Sequence, residues 1–374
     1  MPTTIASILA GRNAGRVDIP ILGDSVTEGY GASAFTTRYV EQLNTLARQA
    51  YPTTAGGSSG GLGLIPLAPV ISMLFTWPVA GDTAGGAIDV GPIRYSVWES
   101  ASEGSAARTW TAPAGTTSVR LMYFDSAAAG TFSYQVGAGA ATDVSNSGAG
   151  VDGALTAPIP IGGGEVLTIA WVSGNVFLHG IVHYAGDEGS GITFHACGHS
   201  GSTASTASSG WMQTGSGFDW RPAIASLIPA AGAFGVFLGL NDASASVGDE
   251  TAAQFQADLE NMYAYLRGNA ALASLPLLAV VPYDAGITYA DAGGYPAYVA
   301  AVEAAAAHDG NAQVVNLGAT MPSYAADPAY YYNSVHPNDS GHLLVAQIIE
   351  GALAPPAPPS PGASAVPAFL TMST

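Results

Sequence analysis

Lysine is missing from this chain and cysteine appears once, at Cys197. All nine basic residues are arginine, set against 27 acids, so the 374 residues carry a formal net charge of −18. Nucleic acids and anionic membrane surfaces are recognised through a basic footprint, so neither is expected as a partner here, and a neutral ligand is. A lone cysteine rules out an internal disulfide and a thiolate-held metal; on a strand it reads as a small buried apolar residue. Long apolar runs are missing as well. None reaches the roughly 18 residues of a spanning helix, and no membrane insertion is expected. Residues 1–11 lack the basic and apolar regions of a signal peptide, so the expectation is a leaderless or already trimmed chain. Histidines and acids lack paired short spacings, and residues 56–63 lack the lysine and strand-to-helix setting of a phosphate loop, so no metal and no cofactor are expected.

What is present is two textures. The run Asp18-Ile19-Pro20-Ile21-Leu22-Gly23-Asp24-Ser25 is short, apolar and bounded by turn formers, which predicts a buried strand with polar groups at its carboxyl end. Phe35, Tyr39, Leu43, Leu46, Ala47 and Ala50 then recur at helical spacing. Residues 53–69 read as a loop leaving this unit. Between about 86 and 187, short runs at 93–98, 118–124, 130–136, 166–171 and 176–184 are separated by Gly, Ala, Ser and Pro clusters with no helix between them, which predicts an inserted antiparallel β-sandwich. Alternation of strands and helices then resumes: strands at 192–196, 233–238, 275–281 and 313–317, helices at 220–227, 252–267, 298–307 and 341–353, the last with Asp339 or Ser340 as N-cap. That pattern predicts a mostly parallel sheet covered by helices on both faces. The domain division expected is 1–60 with 190–354 for the α/β unit, 61–189 for the linker and insert, and 355–374 for a Pro-rich linker and tail, a frayed end or a tether to a larger assembly.

Ser25 lies where α/β sheets hold their ligands. A serine nucleophile needs a base, a group to orient that base, and donors for the developing oxyanion. Three later stretches supply such groups: Gly198-His199-Ser200-Gly201, then Gly239-Leu240-Asn241-Asp242, then Asn333-Ser334-Val335-His336-Pro337. By themselves these residues also fit bland roles, Ser25 and Asn241 as turn formers and Gly201 as a loop glycine.

Gly23-Asp24-Ser25, Gly201, Gly239-x-Asn241-Asp242 and His336-Pro337, in this order, resemble the four sequence blocks of the SGNH hydrolase superfamily, the GDSL-type esterases. The resemblance covers the α/β portion and implies a flavodoxin-like sandwich with a parallel sheet of about five strands; the insert lies outside it and looks like a jelly-roll-like, carbohydrate-binding module. It implies Ser25 as nucleophile and His336 as base, an oxyanion hole from the Ser25 and Gly201 N–H groups with the Asn241 amide, and an acyl-enzyme route to hydrolysis of O-acyl esters. Asp24 and Asp242 are expected to support their loops by accepting backbone hydrogen bonds. The substrate expected is an O-acetylated or otherwise O-acylated carbohydrate, or a small ester.

One position departs from the pattern. The family has Asp three residues before the histidine, and this chain has Asn333. Three outcomes stay open: a Ser–His pair oriented by Asn333 or a backbone carbonyl, a substitute carboxylate such as Asp327 or Asp339, or a weakened enzyme. Two other functional readings stand beside the esterase: a non-catalytic cell-surface or virion protein that keeps the fold, and a lipid or thioester hydrolase. Trp211, Trp220 and Tyr330 to Tyr332 read either as core or as surfaces on which a sugar or acyl group stacks.

Overall fold

The computed structural model describes residues 4–53, 60–70, 72–81, 86–88, 91–93, 96–99, 107–125, 130–146, 148, 150–207, 210–212 and 219–354. The Pro-rich run and tail expected at 355–374 lie outside them.

Five strands form the parallel half of the main sheet: β1 (Val17–Gly23), β2 (Ile192–Gly198), β3 (Phe234–Phe237), β4 (Leu277–Val281) and β5 (Ala312–Asn316). Their spatial order is β2-β1-β3-β4-β5, the flavodoxin-like arrangement, in which the chain reverses direction of growth beside β1. All seven residues of β1 are buried, as a strand covered on both faces requires. Side-chain alternation divides them. Ile19 and Ile21 join the core under α1 (Tyr39–Ala50) and α4 (Asp339–Leu353), while Leu22 joins the opposite core under α2 (Ala252–Arg267) and α3 (Gly294–Asp309). Pro20 sits inside this central strand without an N–H to give, and on the β3 side the ladder is broken there, with Val17 and Asp18 paired to Ala231 and Gly232 and pairing resuming only at Ile21.

Side-chain caps fix where two of the helices begin. Thr251 caps α2 in a reciprocal capping box with Gln254. The α4 N-cap is Asn338, whose side chain accepts the Gly341 N–H, rather than Asp339 or Ser340. Asp339 is the first helical residue, and its carboxylate reaches back to the Ser33 N–H, the Ser33 hydroxyl and the Thr37 hydroxyl.

The segment expected to be a loop at 53–69 contains a strand, Gly60–Pro66, inside the main sheet. Its glycines hid it from any alternation pattern, yet close approach demands them: a Cβ on Gly61 would meet the His183 carbonyl oxygen at 1.8 Å. Through this strand the sheet continues antiparallel into Val176–Ala185, Thr116–Asp125 and Val151–Leu155, so the parallel and antiparallel halves form one 13-stranded sheet. A second, five-stranded antiparallel sheet runs Val79–Ala80, Arg108–Thr111, Val166–Ser173, Gly130–Val136, Thr142–Asn146. It packs on the antiparallel wing through Trp110, Phe132 and Leu167 against Val119, Leu121 and Ile181. The insertion is thus β-rich and two-layered, and it shares a sheet with the unit that interrupts it.

Leu64 belongs to the α/β core and its neighbour Ile65 to the sandwich core, both fully buried. Truncation at either is expected to cost about 2–5 kcal/mol. Because the two cores flank one strand, Leu64→Ala and Ile65→Ala should each lower a single calorimetric transition; two separated transitions in either variant would contradict a shared cooperative unit.

Candidate active site

The carboxyl ends of β1, β2 and β3 and the turn before α4 converge on one place. After β1, Asp24 caps a four-residue helix, Ser25–Glu28, by accepting the Val26 N–H at 2.9 Å. That sets Ser25 on the first turn, where backbone N–H groups have no intrahelical acceptor. The Ser25 Oγ lies 2.8 Å from His336 Nε2.

The other edge of the imidazole fixes its tautomer. His336 Nδ1 is 3.1 Å from Asn333 Oδ1, and the same oxygen accepts the backbone N–H of Val335 at 2.9 Å and of His336 at 2.8 Å. Two backbone donors identify this atom as the amide oxygen, so Nδ1 must carry the hydrogen and Nε2 is left bare to accept from the serine hydroxyl. Among the described residues neither substitute carboxylate is bonded to this ring: Asp339 is committed to Ser33 and Thr37, and Asp327 accepts the Ala329 N–H. Burial pushes the His336 pKa down to about 4, as expected for an imidazole with no carboxylate beside it.

The β2 loop is tied to the β1 loop. The His199 N–H donates to the Gly23 carbonyl at 3.0 Å, and the Ser200 N–H and hydroxyl both donate to the Glu28 carboxylate. A Cβ on Gly198 would stand 2.1 Å from the Glu28 nitrogen, so only glycine permits this contact. Gly201 follows with φ +80°, a backbone that favours glycine. From β3, the Asn241 side-chain amide donates to the Ser202 carbonyl at 3.0 Å, which leaves a second N–H on that nitrogen. Asp242 Oδ1 accepts the Ala204 N–H at 2.6 Å. Beside Asn241 and the Ser334-Val335 turn opens a cavity of about 390 Å³; Ser244, Ser246 and Thr288 bring hydroxyls to it, Leu240 and Ile287 apolar surface, and no charged side chain lines it.

The two carboxyls behind the loops resist ionisation. Asp24, fully buried, has its pKa raised to about 7 by desolvation against the opposing Val26 N–H. Asp242 is raised well above the usual carboxylate range, first by burial and then by the charge of Glu250. Trp211 and Trp220 are 1% and 5% exposed and pack into the α/β core, which leaves them no face for a ligand. Cys197 is likewise fully buried. Two residues of the site escaped the sequence reading. Glu28 bridges the first two loops, and Tyr30 sets its ring 4.6 Å from that of His336, centroid to centroid. Both lie within six residues of Ser25, but neither belongs to a periodic pattern; the flanking Gly29 and Gly31 were the one signal of a chain held in tight contact there.

A carboxyl that keeps its proton in the folded state loses stability as pH rises, because the unfolded chain releases that proton from about pH 4 upward while the folded one does not. Asp242→Asn preserves the acceptor for the Ala204 N–H and removes the titration. Its melting temperature is therefore expected to gain on that of the wild type as pH goes from 4 to 8; a constant or shrinking difference would show that Asp242 ionises freely.

Residues 178–344 match the family model described as GDSL-like lipase/acylhydrolase, a match that begins within the insertion and leaves Ser25 outside it. No curated protein sequence matches the chain. Among solved structures, a peptidoglycan O-acetylesterase aligns over 92% of this chain and 92% of its own at 15% identity, with a TM-score of 0.59. A family two carbohydrate esterase from Clostridium thermocellum, solved with cellohexaose, aligns more distantly, over 71% of this chain and 97% of its own at 12% identity and a TM-score of 0.34. The match over residues 178–344, a parallel sheet of order β2-β1-β3-β4-β5 and four motif blocks at its carboxyl edge agree: the second part of this chain is similar to the GDSL-like lipase/acylhydrolase family, and it is carried on the α/β fold shared with the peptidoglycan O-acetylesterase structure.

Proposed function

We propose that the protein is a serine esterase that removes O-acyl groups, acetyl above all, from a neutral carbohydrate through an acyl-enzyme on Ser25. The observation that carries this reading is the chain Ser25 Oγ, His336 Nε2, His336 Nδ1, Asn333 Oδ1, at 2.8 and 3.1 Å. As the Ser25 oxygen bonds to the ester carbonyl carbon, its proton passes to His336 Nε2. The tetrahedral oxyanion is met by the Ser25 and Gly201 N–H groups and the free N–H of Asn241, donors of a kind whose single removal costs about 100- to 1000-fold in rate. Collapse breaks the bond to the alcohol, which leaves with the proton from His336. Water then repeats the sequence and frees the acid.

Asn333 bears on how fast this runs. Where an asparagine replaces a triad aspartate in a serine protease, about 10⁴-fold is lost with the wrong imidazole tautomer. Here two backbone donors hold the Asn333 oxygen toward the ring, so the tautomer is right and the missing quantity is charge. For the substrate, support comes from the likeness to a peptidoglycan O-acetylesterase and from the uncharged, hydroxyl-lined cavity beside Asn241, which is far roomier than an acetyl group needs and suits a neutral sugar ring.

Hydrolysis of p-nitrophenyl acetate by wild type, Ser25→Ala and His336→Ala tests the assignment: a loss of about 10⁴-fold or more in kcat is expected for both, and equal rates would remove the enzyme in favour of a binding protein on the same fold. Acetylated xylan or peptidoglycan should outperform long-chain p-nitrophenyl esters; the reverse order would make the protein a lipid hydrolase.

Since His336 acts as a base only when neutral, and burial brings its pKa to about 4, kcat/KM should hold its plateau down to near pH 5 and fall below that. Asn333→Asp, by placing a carboxylate on Nδ1, should move that acid limb upward toward the ordinary histidine value of about 6.5. An acid limb already near pH 6.5 in the wild type would contradict the buried, uncharged environment.

A further inference from the structure

His336 lacks the carboxylate that would balance its positive charge in mid-reaction, and the fold places an aromatic ring against it instead. The Tyr30 and His336 rings are 4.6 Å apart at 66°, edge to face. This contact is built from several directions. The Tyr30 N–H donates to the Ser25 carbonyl at 2.9 Å, so the ring is attached to the turn that carries the serine. Its carbonyl accepts from Nε2 of His342, a fully buried residue of α4 whose Nδ1 accepts the Tyr39 N–H at 3.3 Å. The next residue, Gly31, has φ +97° and lies so near the His336-Pro337 turn that a Cβ there would stand 2.1 Å from the Pro337 oxygen. On its outer side Tyr30 meets Tyr332 edge-on at 6.0 Å, and the Tyr332 N–H donates to the His336 carbonyl at 2.9 Å. Tyr30 is therefore clamped between the serine turn, α4 and the histidine turn, with its ring centroid 4.6 Å from that of the imidazole, inside the roughly 6 Å range of cation–π attraction.

We propose that Tyr30 is a positioning residue for the base, holding the imidazole against Ser25 and attracting the imidazolium formed there, so that it takes over part of the task of the acid that Asn333 replaces. This rests on the reading of Ser25 and His336 as nucleophile and base. Among the described residues, His336 meets Ser25 on the β1 turn, Tyr30 after it, and Asn333 and the Tyr332 backbone on its own turn; His342 on α4, bonded to the Tyr30 carbonyl, is kept neutral by burial with a pKa of about 4. Asp339, the acid nearest in sequence, is held by Ser33 and Thr37. Because the ring favours only the charged form of the base, its removal should act on the acid limb and on kcat, which packing alone would not do.

The test is a cycle between positions 30 and 333, read as kcat, KM and the acid limb of kcat/KM on p-nitrophenyl acetate, with Ser25→Ala and His336→Ala alongside. Tyr30→Phe keeps the π face and should stay within about twofold of wild type. Tyr30→Leu should lower kcat by about 3- to 30-fold, leave KM nearly unchanged and shift the acid limb to still lower pH. In the Asn333→Asp background, where a carboxylate supplies the charge, the same Tyr30→Leu change should cost much less. Should the leucine variant not fold, a ring-fluorinated phenylalanine at position 30, which keeps the shape and weakens the π face, should reproduce its kinetic effect relative to Tyr30→Phe. An equal penalty in both backgrounds with an unmoved acid limb would overturn the proposal and leave Tyr30 as packing. Full activity in Ser25→Ala and His336→Ala would overturn the esterase reading itself, a different outcome from their inactivity combined with indifferent Tyr30 variants.

Discussion

Three N–H groups meet at one amide oxygen, and the candidate site depends on that meeting. Asn333 Oδ1 accepts from the backbone of Val335 and His336 and from the His336 ring. The two backbone bonds close a tight turn and at the same time choose which face of the amide looks at the imidazole. An aspartate would do this and add a charge; the asparagine does the geometric half alone. With no anion at its back, the buried ring is driven toward the neutral form.

The same preference for uncharged forms extends behind the loops. Asp24 and Asp242 are wholly buried at the ends of β1 and β3, each accepting a backbone N–H, each with its pKa raised by desolvation. Glu28, also buried, has its pKa raised to about 7 although Ser200, Val70 and Arg38 oppose the shift. These acids act as acceptors that shape loops. A dry wall of this kind strengthens every dipole aimed into the site, since the local dielectric is low.

The sheet explains why distant segments can be held to such tolerance. Ser25, Gly201 and Asn241 follow three adjacent strands, so hydrogen-bond ladders fix their spacing before any loop contact is made. The insertion does not disturb this register, because its first strand pairs alongside β2 and its wing extends the sheet away from the site. Its second sheet adds a separate core on that wing, while Leu64, Ile93, Met122, Val182 and Tyr184 of the insertion join the α/β core on one face of β1.

The sequence by itself determined the strands and helices whose apolar period is strong: β1, β4, α1 and α2 are where that period puts them, since burying one stripe or both faces leaves a direct mark on residue choice. It also determined which residues to assemble, through four short blocks that carry family chemistry. Tertiary structure decided the rest. Gly60–Pro66 was invisible because its glycines answer to neighbouring backbones rather than to a pattern of their own. The N-cap of α4 fell on Asn338 and not on Asp339 or Ser340, and Asp339 was drawn instead to Ser33 and Thr37 from the far end of the chain. The partner of His336 and the approach of Tyr30 belong to the same class: each is a distance between residues whose positions are set by packing, and packing is a property of the whole fold, which no local stretch encodes.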